Sequence, residues 1–375
     1  MSKKSSKQIV DKSVKKTKKK PPISKKEEEK LKNEMSAIVK LNKEVEFYKQ
    51  KINELQNRLK HALYEGAIED KLIDAIYNKN IYIQPLTNVY TKPNKKLDTE
   101  VTVLNLSDFH FGERVSGEEM GGLNAYDMNI AQQRVEKLTE ATISITDNLR
   151  HSYNLQEMRV YALGDMISGL IHTELIETAD GDLIDWLYQG AELISKMLIQ
   201  FAAKFKSVKF IGVVGNHGEM RRNGKKPFKR RYINWDYILY KNIEFMCQKA
   251  KNIEFIIPKS FFALDEIYNY KFLLLHGDSI RSWNSIPFYG IQRTVTRFKE
   301  ILANQGKFLN YVCLGHFHNT GMLQTVSGEI LLNGSLVGGT EYSLGSLTMV
   351  NDPYQLLFGV HKNKGITFRY NIKLN

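Results

Sequence analysis

Five short apolar runs, each closing on residues that can bind a metal, constrain this chain more than any other feature. They are Val101–Leu106 before Ser107-Asp108-Phe109-His110, Val160–Leu163 before Gly164-Asp165, and Phe210–Val214 before Gly215-Asn216-His217. Two more follow, Phe272–Leu275 before His276-Gly277-Asp278 and Tyr311–Leu314 before Gly315-His316-Phe317-His318. A short apolar run ended by a polar turn predicts a buried strand. Amphipathic helical spacing appears between them, over 126–150 (Ile130, Val135, Leu138, Ile143, Ile145), 182–205 and 235–250. That alternation predicts an α/β fold. Sites in open α/β sheets form at the carboxyl ends of strands. Convergence of the five ends would gather Asp108, Asp165, Asn216 and five of the nine histidines in one crevice.

The rest of the chain divides by composition. Residues 1–26 carry eleven lysines and one aspartate, so +10 of the formal +13 sits there. Such a segment cannot bury a core and is expected to be disordered, either as a solubilising tail or as an electrostatic arm for nucleic acid. Residues 27–64 show a heptad seam. Leu31, Ile38, Val45, Ile52 and Leu59 recur at one position, with Leu41, Tyr48, Leu55 and Ala62 at the next. This predicts an amphipathic helix that either pairs as a coiled-coil homodimer through residues 31–62 or packs on its own domain. Residues 65–98, with Gly66, Pro85 and Pro93, read as a linker, and 99–375 as the main domain. After residue 328, the segments Glu329–Leu332, Ser346–Val350, Gln355–Val360 and Gly365–Tyr370 read as successive antiparallel strands. No apolar stretch has the length of a membrane span, no secretory leader is visible, and Cys247 and Cys313 do not form a disulfide framework, so a cytoplasmic location is expected.

The ordered set Asp-x-His, Gly-Asp, Gly-Asn-His, His-Gly and Gly-His-x-His resembles the calcineurin-like metallophosphoesterase superfamily over about residues 99–340. The closing Gly-His-x-His is similar to the Mre11/SbcD-type DNA repair exonuclease and phosphodiesterase branches. Asp165 is followed by Met166-Ile167-Ser168-Gly169 rather than Asp-Arg-Gly, which separates the chain from the Ser/Thr phosphatases. Gly218 stands between His217 and Glu219, where family members often have an acid directly after the histidine. The resemblance implies a four-layer αββα sandwich with two mixed sheets. It also implies two metal ions, one held by Asp108, His110, Asp165 and His318, the other by Asp165, Asn216, His276 and His316. Asp165 would then bridge the ions, and His217 would be the general acid.

The chemistry can be argued beside the resemblance. Two divalent ions, offset by Asp108, Asp165 and a bridging hydroxide, leave a formal excess of one positive charge, which favours an anionic phosphate. Metal binding lowers the pKa of water to about 7, so hydroxide is available as nucleophile near neutrality. An imidazole such as His217 titrates close to neutrality and suits proton donation. Nitrogen and oxygen ligands without thiolate favour Mn²⁺, then Fe, Zn or Ni.

The substrate is addressed by a basic segment. Residues 221–231 hold seven cations, among them Arg221, Arg222, Lys225, Lys226 and Arg230, with Phe228 inside and Tyr232 beside them. At an active-site mouth these could neutralise successive phosphates, although a solvated basic loop is the alternative. Arg281 and Trp283 are candidate substrate contacts further along, and Trp283 could equally be core. The expected function is a two-metal phosphodiesterase cleaving nucleic acid, DNA before RNA, with no membrane partner. The alternatives are a phosphoesterase for a small phosphoester or cyclic nucleotide, and a DNA-bound scaffold resembling a polymerase small subunit.

Overall fold

Successive side chains of a strand point to opposite faces, so the short apolar runs of this chain build two sheets with a core on each face. The computed structural model describes residues 43, 49, 82–89, 96–169, 181–222, 226–227, 230–280, 287–326 and 328–375, with only the backbone at 221, 222, 226 and 227. The lysine-rich tail lies outside the described residues. So does the heptad segment, apart from Lys43 and Lys49, which are helical and exposed. The chain separates into two compact units, Met1–Gly66 and Ala67–Asn375. All that follows belongs to the second.

Strands β1 (Thr99–Leu106), β2 (Asn154–Ala162), β3 (Ser207–Gly212) and β6 (Ile253–Ile256) run parallel in that order. The antiparallel pair β12 (Tyr354–His361) and β13 (Gly365–Lys373) extends the β1 side, giving a six-stranded sheet ordered β13-β12-β1-β2-β3-β6. A second sheet has the order β10-β11-β9-β8-β7, from β7 (Phe262–Ile267), β8 (Tyr270–Leu275), β9 (Tyr311–Leu314), β10 (Gly321–Thr325) and β11 (Gly328–Leu332). Its three central strands are parallel and its two outer pairs antiparallel. A separate two-stranded hairpin joins β4 (Arg221–Arg222) and β5 (Lys226–Pro227).

The sheets pack face to face through Val101, Val103, Tyr161, Ile211, Phe272, Leu274, Cys313, Leu331 and Phe358. Phe272 and Phe358 stack across the seam with centroids 6.1 Å apart, and burying such a ring contributes roughly 1.5–3 kcal/mol. The intervening residues face outward. Leu104, Val160 and Phe210 pack on α1 (Met128–Leu149), α2 (Leu183–Lys204) and α3 (Trp235–Met246). On the opposite side Leu273, Val312 and Ile330 pack on Ile291, Val295 and Leu302 of α4 (Phe288–Ala303). The result is the expected four-layer αββα sandwich with two mixed sheets. Asp127, Asp182 and Asn234 cap α1, α2 and α3, each side chain accepting from backbone N–H groups of the first turn.

Two expectations need correction. Ser346–Val350 is not a strand. Thr340 and Ser343 form a capping box that starts the short helix α5 (Glu341–Leu347), and residues 348–350 leave it without a sheet partner. Nor are the last strands one antiparallel series: β11 lies parallel to β9 in the second sheet, and β12 crosses to the first. Residues 82–89 are irregular, and the backbone amides of Ile83 and Val89 donate to Met246 and Ala203 at 3.2 and 2.8 Å. Among the described residues no helix is long and apolar enough to cross a membrane.

Candidate metal centre

The carboxyl ends of β1, β2, β3, β8 and β9 meet at one edge of the sandwich. Pairing between β1 and β2 continues past the strands, with Asp108 N donating to Gly164 O and His110 N to Asp165 O, each at 3.1 Å. There the backbone leaves its ordinary range. Five of the seven described non-glycine residues with a left-handed backbone are Asp108, His110, Asp165, His316 and His318, with φ between 50° and 71°. Side chains rarely adopt this conformation, which costs about 1–3 kcal/mol per residue and concentrates at functional sites. Glycine is required beside them. A Cβ on Gly164 would sit 2.4 Å from the Gly215 amide nitrogen, and one on Gly215 2.0 Å from Asp165 Oδ1.

The potential ligand atoms fall into three overlapping groups, in each of which they lie within 4.8 Å of one another: Asp108, His110 and His318; His110, Asp165 and His217; Asp165, His276 and His316. Asn216 joins the last, with its Oδ1 3.1 Å from His276 Nε2. Asp108, His110, Asp165 and His276 are buried, whereas the His318 side chain is 27% exposed. Facing nitrogens stand 3.2 Å apart in two pairs, His110 Nε2 with His318 Nε2 and His276 Nε2 with His316 Nδ1.

These contacts test whether a cation fits. His276 Nδ1 donates to the Leu163 carbonyl at 2.8 Å, which fixes the ring and aims Nε2 inward. That Nε2 meets Asp165 Oδ2 at 2.9 Å as well as Asn216 Oδ1. A bare lone pair facing two oxygens is repulsive, so the position calls for a proton or a metal ion. Burial opposes charge on His276, but Asp165 outweighs it and holds the imidazole at about 10. Burial likewise opposes charge on His110, yet Glu113, whose Oε2 lies 3.1 Å from Nδ1, leads the groups that lift it to about 9. The two aspartates stay ionised: burial acts against this, and facing histidines, His276 foremost for Asp165 and His318 for Asp108, overcome it. A divalent ion would replace the protons among the same atoms, so the donor set fits divalent metals.

His217 is arranged differently. Its amide donates to Asp165 Oδ1 at 2.8 Å, and its Nδ1 is 3.0 Å from the Ser168 carbonyl. That contact fixes the ring, which shares a potential ligand group with His110 and Asp165. The ring stands edge-on to His110 with centroids 4.5 Å apart. Burial, against the pull of Asp165, drives its pKa down to about 4, so it is neutral at pH 7.

Other sequence candidates are placed less fully. Arg221, Arg222 and Lys226 lie on the β4–β5 hairpin that follows His217 in the chain. Arg230 is exposed and donates to the Tyr232 hydroxyl at 3.3 Å. Lys225, Arg281 and Trp283 lie outside the described residues.

Sequence reasoning missed two carboxylates, half-buried Glu113 and buried Asp236. Glu113 is held ionised, against burial, by His110, and it cancels the formal positive excess counted from Asp108 and Asp165 alone. Asp236 accepts four backbone N–H groups, from Asp165 (2.9 Å), Met166 (3.1 Å), Ile167 (3.2 Å) and Gly215 (2.8 Å), and so locks two ligand turns together. Asn234 completes the brace by donating to the Gly215 carbonyl at 2.8 Å. The only sequence mark of this pair is Asn-x-Asp at the start of a helical pattern, which reads as a cap. A second brace joins the sheets: Ser107, the residue before Asp108, is buried with Asn333 and Gln355, and the three hydrogen-bond to one another.

No family model matches the chain, and no curated protein sequence matches it. Solved structures similar to it include zinc-complexed Vps29 from Entamoeba histolytica, 13% identical, with a TM-score of 0.29, covering 73% of this chain and 99% of that one. A novel archaeal phosphodiesterase is 14% identical with a TM-score of 0.32, over 73% of this chain and 99% of the other. A predicted phosphoesterase from Streptococcus pneumoniae is 10% identical with a TM-score of 0.28, over 73% and 98%. Each likeness is distant.

Proposed function

We propose that this chain is a two-metal-dependent phosphodiesterase of the calcineurin-like metallophosphoesterase kind, and that it hydrolyses nucleic-acid phosphodiester bonds. The observation that carries this reading is the convergence of five left-handed ligand-type residues from both sheets on one buried edge. Asp108, His110, Asp165 and His318 would hold one ion. Asp165, Asn216, His276 and His316 would hold the second, with Mn²⁺ favoured for this nitrogen and oxygen set. Bound divalent ions supply Lewis acidity toward phosphoryl oxygens and water acidic enough to attack near pH 7.

The protein's own groups do the rest. Asp165, fixed by the Asp236 brace, keeps the two ligand sets in register. His217, its ring fixed by the Ser168 carbonyl, would serve the reacting oxygens as general acid. An anionic phosphate beside that imidazole raises its affinity for a proton, which it then gives to the departing oxygen. The nucleic-acid part of the reading is supported by the seven cations at 221–231, which follow His217 closely in the chain. Arg221, Arg222, Lys225, Lys226, Arg230 and Arg281 are the proposed substrate contacts, with DNA ranked before RNA.

The test is incubation of the full chain with Mn²⁺ and labelled single- and double-stranded DNA, RNA and bis-p-nitrophenyl phosphate, beside His217→Ala. Cleavage of DNA is expected, slowed about 10²–10⁴-fold in the variant with its metal stoichiometry unchanged. Hydrolysis of the nitrophenyl ester alone would move the substrate to small phosphoesters. Metal binding without any hydrolysis would make the chain a scaffold and overturn the enzymatic reading.

A further inference from the structure

Arg231 closes the basic segment and is held unlike a solvent-facing charge. Its Nη1 donates to Glu219 Oε1 and its Nη2 to Asp278 Oδ2, each at 2.7 Å. Glu219 lies two residues after His217, and Asp278 two after His276. One guanidinium therefore ties the loop following β3 in the first sheet to the loop following β8 in the second. Engaged by two carboxylates in this forked geometry, its charge is balanced in place and its orientation is set by both loops.

The segment it closes is an excursion with joined ends. Glu219 and Asn234 form a bridge at its base, and Trp235 N donates to Gly218 O at 2.7 Å. The neighbouring cations are oriented from the same base. Exposed Arg230 bonds the Tyr232 hydroxyl, and the exposed Lys259 ammonium sits over the Tyr232 ring, 5.1 Å from its centroid. Lys259 follows β6, which is parallel to β3, so the positive surface extends along the same carboxyl edge as the metal centre.

We propose that Arg231 is a positioning residue, a clamp that fixes the basic excursion across the junction of the two sheets, so that the site favours a polyanionic strand over a small phosphodiester. The proposal rests on the phosphodiesterase reading and sharpens its substrate class. A strand with one phosphate at the metal centre would extend toward the cations along this edge, Arg230 and Lys259 among them, where each contact adds electrostatic affinity. A nitrophenyl diester ends before reaching them. Loosening the clamp leaves the ligand cluster in place but lets the cations wander, so the loss appears in the KM of the long substrate.

The experiment compares the full chain with Arg231→Gln, Arg231→Lys and Asp278→Asn under Mn²⁺, using a single-stranded oligonucleotide and bis-p-nitrophenyl phosphate. Limited trypsin digestion within 221–231 is followed in parallel. The oligonucleotide KM should rise about tenfold in Arg231→Gln and Asp278→Asn, with kcat and the small-ester kinetics within about twofold of the parent. Trypsin should cut the segment faster in both variants. Arg231→Lys should fall between, because an ammonium lacks the fork that serves two acids. Equal loss on both substrates would make Arg231 part of the metal centre, and unchanged KM and digestion would remove the clamp; either overturns the proposal. Should the parent cleave only the small ester, the nucleic-acid reading fails on its own. Unaltered digestion of Arg231→Gln would then overturn the clamp independently.

Discussion

The two halves of the candidate centre are built on different terms. The first sheet supplies both carboxylates, Asp108 and Asp165, together with Asn216, His110 and His217. The second supplies only imidazoles, His276, His316 and His318. Buried carboxylates need donors, and the first half provides them. His217 N donates to Asp165, and the turns that carry Asp165 and Asn216 hang from Asp236. The second half leans on the first, with His276 Nδ1 donating to Leu163 O and His316 N donating to Asp108 Oδ2 at 2.9 Å. The anionic candidate ligands thus sit where the backbone is braced, and imidazoles from the second sheet close over them. The first half is a template and the second its cover.

This contrast can be broken outright by mutation. Asp165→Asn should reduce Mn²⁺-dependent hydrolysis to background and abolish binding of both ions in calorimetry. His318→Ala, in the cover, should cost no more than about a hundredfold, because water can replace a ligand whose side chain is 27% exposed. Equal losses in the two variants would erase the distinction. A smaller effect is expected from the brace. Asp236→Asn should weaken Mn²⁺ binding about 10–100-fold, and unaltered affinity in a folded variant would make the brace dispensable.

The smallest effect reads one protonated imidazole in each half. His110 and His276 are raised to about 9 and about 10 in the ion-free protein. Their charged forms contribute stability that is complete below the unfolded histidine pKa of about 6.5 and is lost as pH climbs through those raised values. A metal must displace the same protons, so Mn²⁺ affinity should rise between pH 6 and about 9, with proton release seen as a buffer-dependent binding enthalpy. Flat affinity over that interval would mean the imidazoles are neutral before the metal arrives.

Much of this centre was legible in the sequence because each strand announces its own end. Val101–Leu106 and Tyr311–Leu314 alternate inward and outward until a polar triplet stops them, and those triplets hold the ligands. Glu113 and Asp236 were not legible as parts of a site, and Arg231 was legible only as one cation of the basic segment, not as a clamp. Each acts on a group that only the folded chain brings near, and none stands in a pattern that distinguishes it from an ordinary surface charge or cap. Helix α4 was visible in principle, since Ile291, Val295 and Leu302 keep one helical face. Ser346–Val350 misled in the opposite sense, as a few apolar residues in a row specify a strand only when a neighbouring strand is there to pair with them.

The left-handed backbone at Asp108, His110, Asp165, His316 and His318 sets stability against chemistry. Glycine at such a position would relieve torsional stress worth about 1–3 kcal/mol, yet it would delete a ligand. Mutational drift in a lineage released from selection for turnover would therefore hollow out this edge first, leaving a sturdier but inert relative.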